Sequence, residues 1–365
     1  MIDRRVWGQL DSRLIILTVS LAVIGIVNLF SATINMPGEG LPFYMRQLCW
    51  FGIGALLGLL VFAVDYRYYK EFAYTFYLAV LLAVMCVLIY GLVVGGGQRW
   101  IKTGFFSFQP SELMKIALIL ALARYFATHE RKEGYRLRDL FVPTIIAMVP
   151  TLLIVKQPDL GTAMVMVFIF FSIVMFVKIR FRSFLIVCLT FILATPFFWF
   201  VLKGYQRTRI LTLLNPQMDP LGAGYHIIQS KIAVGSGGLW GKGYLQGTQC
   251  KLNFLPEHHT DFIFAVIGEE WGFLGCGLVL ALYLALILWG LTRGVRTQDR
   301  YGSIIAFGVT AMIFWHVVIN VGMVLGMMPV VGLPLPFLSY GGSSTVVTLI
   351  GIGLLLNIRA RRHVF

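Results

Sequence analysis

The chain has 365 residues, 58% of them hydrophobic and only 13% charged, with a formal net charge of +14. Soluble globular domains carry roughly a quarter charged residues, so that class is excluded. A mean hydropathy of +0.83 and repeated apolar runs of about 20 residues predict an all-α polytopic integral membrane protein.

The first apolar run, Leu14 to Phe30, follows Arg4, Arg5 and Arg13. It is too long for the apolar region of a secretory signal and lacks a small-residue cleavage site, which predicts an uncleaved first helix. About ten spans are expected, at roughly 14–34, 48–64, 72–94, 112–127, 141–156, 160–177, 184–202, 271–292, 302–326 and 344–358. An even number puts both termini on one side. More than half of the 30 Lys and Arg then fall in the segments of that side, which makes it cytoplasmic. The whole of 1–365 reads as a single transmembrane domain. Topology already explains the positive charge, so nucleic-acid binding is not inferred from it. The five cysteines form no CxxC pair and lie mostly in apolar segments, which argues against a zinc site and a disulfide framework.

The remaining cations face the outer side: Arg46, Arg99, Lys102, Lys115, Lys156, Lys203, Arg207, Arg209, Lys231, Lys242 and Lys251. Six of them lie in one connection, 203–260, the longest in the chain and apolar and glycine-rich enough to be ordered. One such cation simply snorkels to the interface. So many on one side predict an anionic substrate at the outer leaflet. Glu112 and Lys115 open the fourth span at i, i+3, on neighbouring positions of one helix face where they can pair. Within the long connection, Ser236 to Gly243 resembles a phosphate-binding P-loop. Ser236 stands where its first glycine belongs, Gly243 where its metal-binding hydroxyl belongs, and no strand precedes it. No nucleotide is expected.

Four of the 16 acidic residues, Glu257, Asp261, Glu269 and Glu270, then cluster with His258 and His259. Concentrated charge at a membrane is costly and marks a functional site. Thr260-Asp261-Phe262-Ile263 reads as a cap and first helical turn. On that helix Asp261, Ala265, Gly268 and Gly272 share a face bare of bulk, with room for a substrate or another helix. The two histidines follow no recognised zinc pattern. A loosely held Mg²⁺ or Mn²⁺ shared with substrate phosphates suits the acids better. Met327 to Ser344, with three prolines and apolar filling, can exist at membrane depth only if buried or lining a cavity. Ser343 and Ser344 are expected to cap the last span.

A series of stretches in order along nearly the whole chain resembles the SEDS (shape, elongation, division, sporulation) family of peptidoglycan polymerases. They are Gln109-Pro-Ser-Glu112, Gln157-Pro-Asp-Leu-Gly-Thr-Ala163, Gly224-Tyr-His-Ile-Ile-Gln-Ser230, Gly235-Ser-Gly-Gly238, Phe254-Leu-Pro-Glu257, His259-Thr-Asp-Phe-Ile-Phe264 and Pro334 to Ser344. Gly241-Lys-Gly243 followed by Gly247-Thr-Gln249 is more similar to the elongation branch than to the division branch. The resemblance implies a glycosyltransferase acting on lipid II at the outer face of the bacterial plasma membrane, with Asp261 as the essential aspartate and Glu112 and Lys115 as the membrane-mouth pair. It implies an inverting displacement of polyprenyl pyrophosphate, with Asp261 as general base. Arg46, Arg99, Lys102, Arg207, Arg209 and Lys231 are the candidate phosphate contacts. The expected partners are lipid II, the nascent glycan strand, a class B penicillin-binding protein supplying the transpeptidase, and membrane proteins of the elongation complex. The competing expectation is a lipid II flippase, which needs charge along a path to the inner leaflet.

Overall fold

The computed structural model describes residues 10–34, 36, 41–94, 97–103, 106–187, 189–190, 193, 204–219, 222–252, 254–295 and 299–361. The chain opens with α1 (Ser12–Thr33), α2 (Phe43–Ala63) and α3 (Tyr66–Tyr90), then β1 (Leu92–Val94), β2 (Gly97–Thr103) and β3 (Phe106–Phe108). It continues with α4 (Pro110–Thr128), α5 (Phe141–Lys156) and α6 (Leu160–Phe176). After α7 (Gly204–Leu214), α8 (Ala223–Ser236) and the single turn α9 (Thr248–Lys251) come α10 (Ile263–Val295), α11 (Arg300–Val324) and α12 (Gly342–Ala360). Aspartates start four of these helices. Asp11, Asp65, Asp159 and Asp299 each accept backbone N–H groups of the first turn, the groups that a helix leaves without internal partners.

Among the described residues, seven helices are long and apolar enough to cross a membrane. α4 and α6 pack among them. α6 has 17 residues, and α4 carries Glu112, Lys115 and Arg124 along its length. The expected seventh span, 184–202, lies largely outside the described residues. α11 and α12 form the interior, with 78% and 83% of their apolar windows buried against 22% for α2. On α1, α2 and α3, side chains such as Val23, Leu56 and Leu82 point outward. That is the arrangement of helices whose outer face meets lipid. α2 and α12 touch backbone to backbone: a Cβ on Gly353 would sit 2.4 Å from the Gly58 carbonyl oxygen.

Two expectations need correction. The fold is not wholly α-helical, because β1, β2 and β3 form an antiparallel meander between α3 and α4. The expected third span runs through β1, and β2, with Trp100 and Ile101 adjacent between pairs of polar residues, lacks the apolar–polar alternation that marks a strand in sequence. The connection at 203–260 is also no plain loop, since α7, a 3-10 turn at Pro216–Met218, α8 and α9 fill most of it.

α8 lies against α10, and this changes the reading of the small-residue face. A Cβ on Gly268 would meet Val234 at 3.0 Å, and one on Gly237 would lie 1.9 Å from the Gly268 oxygen. Another helix, not a substrate, covers Gly268. Gly272 leaves the helical path altogether, at φ 65 and ψ −160. The kink frees backbone groups that must find partners, and the false P-loop supplies them. Lys242 N and Gly243 N donate to the oxygens of Glu269 (2.9 Å) and Glu270 (3.0 Å), while Phe273 N and Leu274 N donate to those of Gly238 and Leu239. A Cβ on Gly241 would lie 2.2 Å from the Glu270 oxygen. The glycines here allow a backbone staple and do not cradle a phosphate.

A candidate active site at one mouth of the bundle

The starts of α4, α6 and α10, the strand β2 and the proline-rich segment before α12 enclose a polar cavity of about 300 Å³. Asp261, Glu112, Asp159 and Arg99 line it, with Trp50 and the backbone of Gly332 to Pro334.

Asp261 sits in the turn before α10, where its N–H donates to the Glu257 oxygen (3.1 Å). Asn320 of α11 fixes this turn, its Nδ2 donating to the oxygens of Asp261 (2.8 Å) and Leu333 (2.7 Å). Gly332, at φ +70, approaches so closely that a Cβ there would be 3.2 Å from Asp261 Oδ2. The proline-rich segment is therefore a cavity wall, as its composition predicts. Burial of the carboxyl, with Glu257 and Asp159 adding to it and the Arg209 and Arg99 charges opposing, raises the Asp261 pKa to about 7.

Glu112 and Lys115 are both buried and paired at 2.8 Å. Lys115 Nζ also lies 2.9 Å from His316 Nε2, and His316 Nδ1 lies 2.8 Å from the Met312 oxygen. A carbonyl at Nδ1 assigns the ring proton there, so that Nε2 accepts from the ammonium. Asp159 caps α6 through Thr162 N (3.2 Å) and accepts from Gln109 Nε2 (2.7 Å) and Ser111 Oγ (3.4 Å). Arg99 reaches down from β2 and donates to the carbonyls of Gln157 (3.2 Å) and Pro158.

The other expected cations are placed differently. Arg207 and Arg209 lie on α7, and Arg209 is near enough to act on the Asp261 charge. Arg46 is on α2, over the Phe43 ring at 5.7 Å and outside the cavity lining. Lys231 is exposed on α8, its stem against Gly326, where a Cβ would lie 2.2 Å from Lys231 Cε. Lys102 falls on β2, and its side chain lies outside the described residues. Ser343 does not cap its own helix: its hydroxyl accepts from Gln109 N at 3.0 Å, tying α12 to the start of α4.

The acidic cluster also divides. Glu269 is fully buried and accepts from Lys242 Nζ (2.6 Å), Thr248 N (2.8 Å) and Thr248 Oγ1 (2.8 Å). Glu270 accepts from Ser31 Oγ at 2.5 Å. Glu269 holds the staple and Glu270 ties α10 to α1, leaving Asp261 to face the cavity. His258 is buried with its two ring nitrogens on the carbonyls of Leu255 and Ala32, so neither is open to a metal. Among the described residues, no group of three His, Cys, Asp or Glu could hold a metal ion. His316 and Asn320 are not among the residues singled out above, and Asp159 enters there only within the Gln157 to Ala163 stretch. His316 carried a usable signal, as an ionisable residue in the middle of an apolar span.

Fold and site together define a polytopic helical membrane protein with an acid-bearing polar cavity at one mouth. A family model named for FtsW, RodA and SpoVE and described as a cell cycle protein matches residues 12–364, and the chain belongs to that family. The chain is 38% identical over 355 residues to the peptidoglycan glycosyltransferase MrdB of Escherichia coli strain K12, covering 97% of this chain and 94% of that protein. It is 35% identical over 428 residues to the peptidoglycan glycosyltransferase RodA of Treponema pallidum strain Nichols, covering 97% and 98%. Its fold matches a chain solved in a study of how a peptidoglycan synthase complex coordinates polymerization and crosslinking. That match has a TM-score of 0.83 and 35% identity over 97% of this chain and 98% of that one.

Proposed function

We propose that this chain is a peptidoglycan glycosyltransferase that polymerises lipid II into β-1,4 glycan strands during rod-shaped elongation. It works at the outer face of the plasma (inner) membrane, through ten spans with both termini cytoplasmic. The observation that carries the mechanism is Asp261, a cavity carboxyl whose pKa is raised to about 7. A general base works best with a pKa near the operating pH. Asp261 takes the proton of a sugar 4-hydroxyl as that oxygen bonds to the anomeric carbon of the donor. The bond from that carbon to the polyprenyl pyrophosphate breaks with inversion, and the electron pair leaves on the phosphate oxygen.

Arg99 and Arg209, whose charges reach Asp261, are the cations best placed to stabilise that leaving group. Glu112 is committed to Lys115 and Asp159 to its three donors. Asp261 is then the cavity carboxylate left for a divalent cation. Such a donor set suits a Mg²⁺ or Mn²⁺ held chiefly by substrate phosphates, where it would offset pyrophosphate charge. A class B penicillin-binding protein and other membrane proteins of the elongation complex are the proposed partners, in keeping with the synthase complex of the structural relative. A flippase would need a polar path through the bundle, and below Lys115 the α4 side chains Ile116 to Ala123 are apolar and buried.

The test is polymer formation from purified lipid II by the full chain with its cognate transpeptidase, comparing wild type with Asp261→Asn, with and without EDTA. Polymer from wild type and none from a folded, partner-bound Asn variant is the expected result. Equal polymer from both would remove Asp261 as the base. Lipid II transfer across liposomes without polymer would establish the flippase.

A further inference from the structure

At the far end of α4, about 28 Å from the Asp261 cavity by helix rise, lies a second polar concavity of about 470 Å³. Arg131, Lys132, Lys178 and Arg300 line it, and Glu130 is the one acid among its lining residues. Glu130 is taken by Arg300. Arg131 reaches Asp139 at 3.4 Å, with 61% of its side chain still exposed. Lys132 and Lys178 are exposed and have no acidic partner among the described residues. Arg300 Nε is buried without a hydrogen-bond partner. The site therefore carries surplus positive charge and an unmet donor.

The concavity is also preformed. Tyr135 N donates to the Lys178 oxygen and Arg180 N to the Tyr135 oxygen, both at 3.0 Å, which joins the segment after α4 to the segment after α6. The Tyr135 ring is buried, and its hydroxyl donates to the His129 oxygen at 2.8 Å. Phe176, partly exposed at the end of α6 and backed by the buried Ile304 of α11, supplies the apolar side of the concavity. Cations above an apolar wall at the end of membrane helices match a phosphate carried on acyl chains. A free phosphate would use the cations and leave that wall bare.

We propose that this concavity binds the phosphodiester headgroup of an anionic phospholipid, with an acyl chain along the partly exposed Phe176. In the topology proposed above, the lipid belongs to the cytoplasmic leaflet. The site is separate from the Asp261 cavity and does not depend on the reaction performed there.

The test is native mass spectrometry of the full chain titrated with dioleoylphosphatidylglycerol, with dioleoylphosphatidylcholine as the neutral control. The variants are Lys132→Gln/Lys178→Gln, Arg131→Gln and, as a charge control outside the concavity, Lys70→Gln. Each lysine near a membrane surface contributes about 1 kcal/mol toward anionic lipid. The double variant should therefore lose about tenfold or more in phosphatidylglycerol affinity, Arg131→Gln a few-fold, and Lys70→Gln little. Should the double variant fail gel filtration as a folded species, the exposed Arg131→Gln decides. Equal retention of the two lipids by wild type, or phosphatidylglycerol affinity unchanged in the decisive variant, would overturn the proposal. Displacement of the lipid by millimolar inorganic phosphate, with no lipid preference left, would overturn the lipid assignment in favour of free phosphate.

Discussion

The pKa of Asp261 is the most exposed point of the mechanism. The carboxyl is raised from 3.8 to about 7, chiefly by burial and then by Glu257. A base that must be ionised loses about tenfold in active fraction for each pH unit below its pKa. Polymerisation should therefore fall about fivefold between pH 7 and pH 6, about tenfold more by pH 5, and level off above about pH 8. An aspartate with a solution-like pKa would be almost fully ionised across that range. Stability should run the other way, because the folded state binds the proton more tightly than the unfolded chain. Stability from this group is complete below pH 3.8 and is lost as pH rises through about 7. At about 1.4 kcal/mol per tenfold in proton affinity, the loss is on the order of 4 kcal/mol at pH 8. Asp261→Asn removes it, so the inactive variant should melt higher than wild type at pH 8 and by a smaller margin at pH 5. The assays are glycan-strand synthesis from lipid II across pH and thermal unfolding in the same buffers. A flat rate between pH 5.5 and 8, with Asp261→Asn no more stable than wild type at pH 8, would refute both the raised pKa and the role built on it.

Two further predictions test the groups around the base. Glu269→Gln removes a buried charge that Lys242 and the Thr248 N–H and hydroxyl all address, which should cost about 3 kcal/mol. It should lower the melting temperature and open the chain to trypsin after Lys242, and an unchanged digest would show that the staple holds without it. Lys115→Met leaves Glu112 buried without its 2.8 Å partner, which should cost about 3–5 kcal/mol. Glu112→Gln/Lys115→Met should recover most of that stability, as measured by thermal unfolding, because no buried charge is then stranded.

What the sequence reveals here follows from what has a period or an isolated charge. Lipid-facing and buried helices announce themselves by apolar length, so α1 to α6 and α10 to α12 overlap expected spans, whereas α7, α8 and α9, inside the 203–260 connection, match none. Asp261 and the Glu112–Lys115 pair are legible because charge beside apolar spans is costly and rare. The staple is not legible in this way. Gly241 and Gly243 serve a kink thirty residues away in sequence, and only the folded backbone brings Gly241 beside the Glu270 oxygen. The same applies to Asp159 and Asn320, whose polar groups matter through carbonyls and amides on distant segments. The acidic cluster was legible as a cluster, but its division between Asp261 and the structural pair Glu269 and Glu270 depends on which way each carboxylate turns. β2 is not legible because its residues do not alternate apolar and polar, so Arg99 and Lys102 look like outer-loop cations although both lie on a strand beside the cavity.

The opposing charges around Asp261 yield a last prediction, and its sign is fixed by the site. In the free protein Arg209 and Arg99 both lower the Asp261 pKa. A bound pyrophosphate draws on those same cations and brings its own negative charge, and both effects raise the pKa of a neighbouring carboxyl. In the proposed mechanism, substrate therefore strengthens its own base. The pH dependence of kcat/KM reports groups in the free enzyme and that of kcat reports those in the complex. The acid limb of kcat should accordingly lie at higher pH than that of kcat/KM. A divalent cation beside Asp261 would act in the opposite sense, because its charge favours the ionised carboxylate. Raising Mg²⁺ should then move the kcat limb back toward lower pH. Steady-state polymerisation measured over pH 5.5–8.5 at two Mg²⁺ concentrations separates the two effects. Coincident limbs at both concentrations would mean that neither the phosphates nor the metal comes near Asp261, and would move the leaving group away from Arg99 and Arg209.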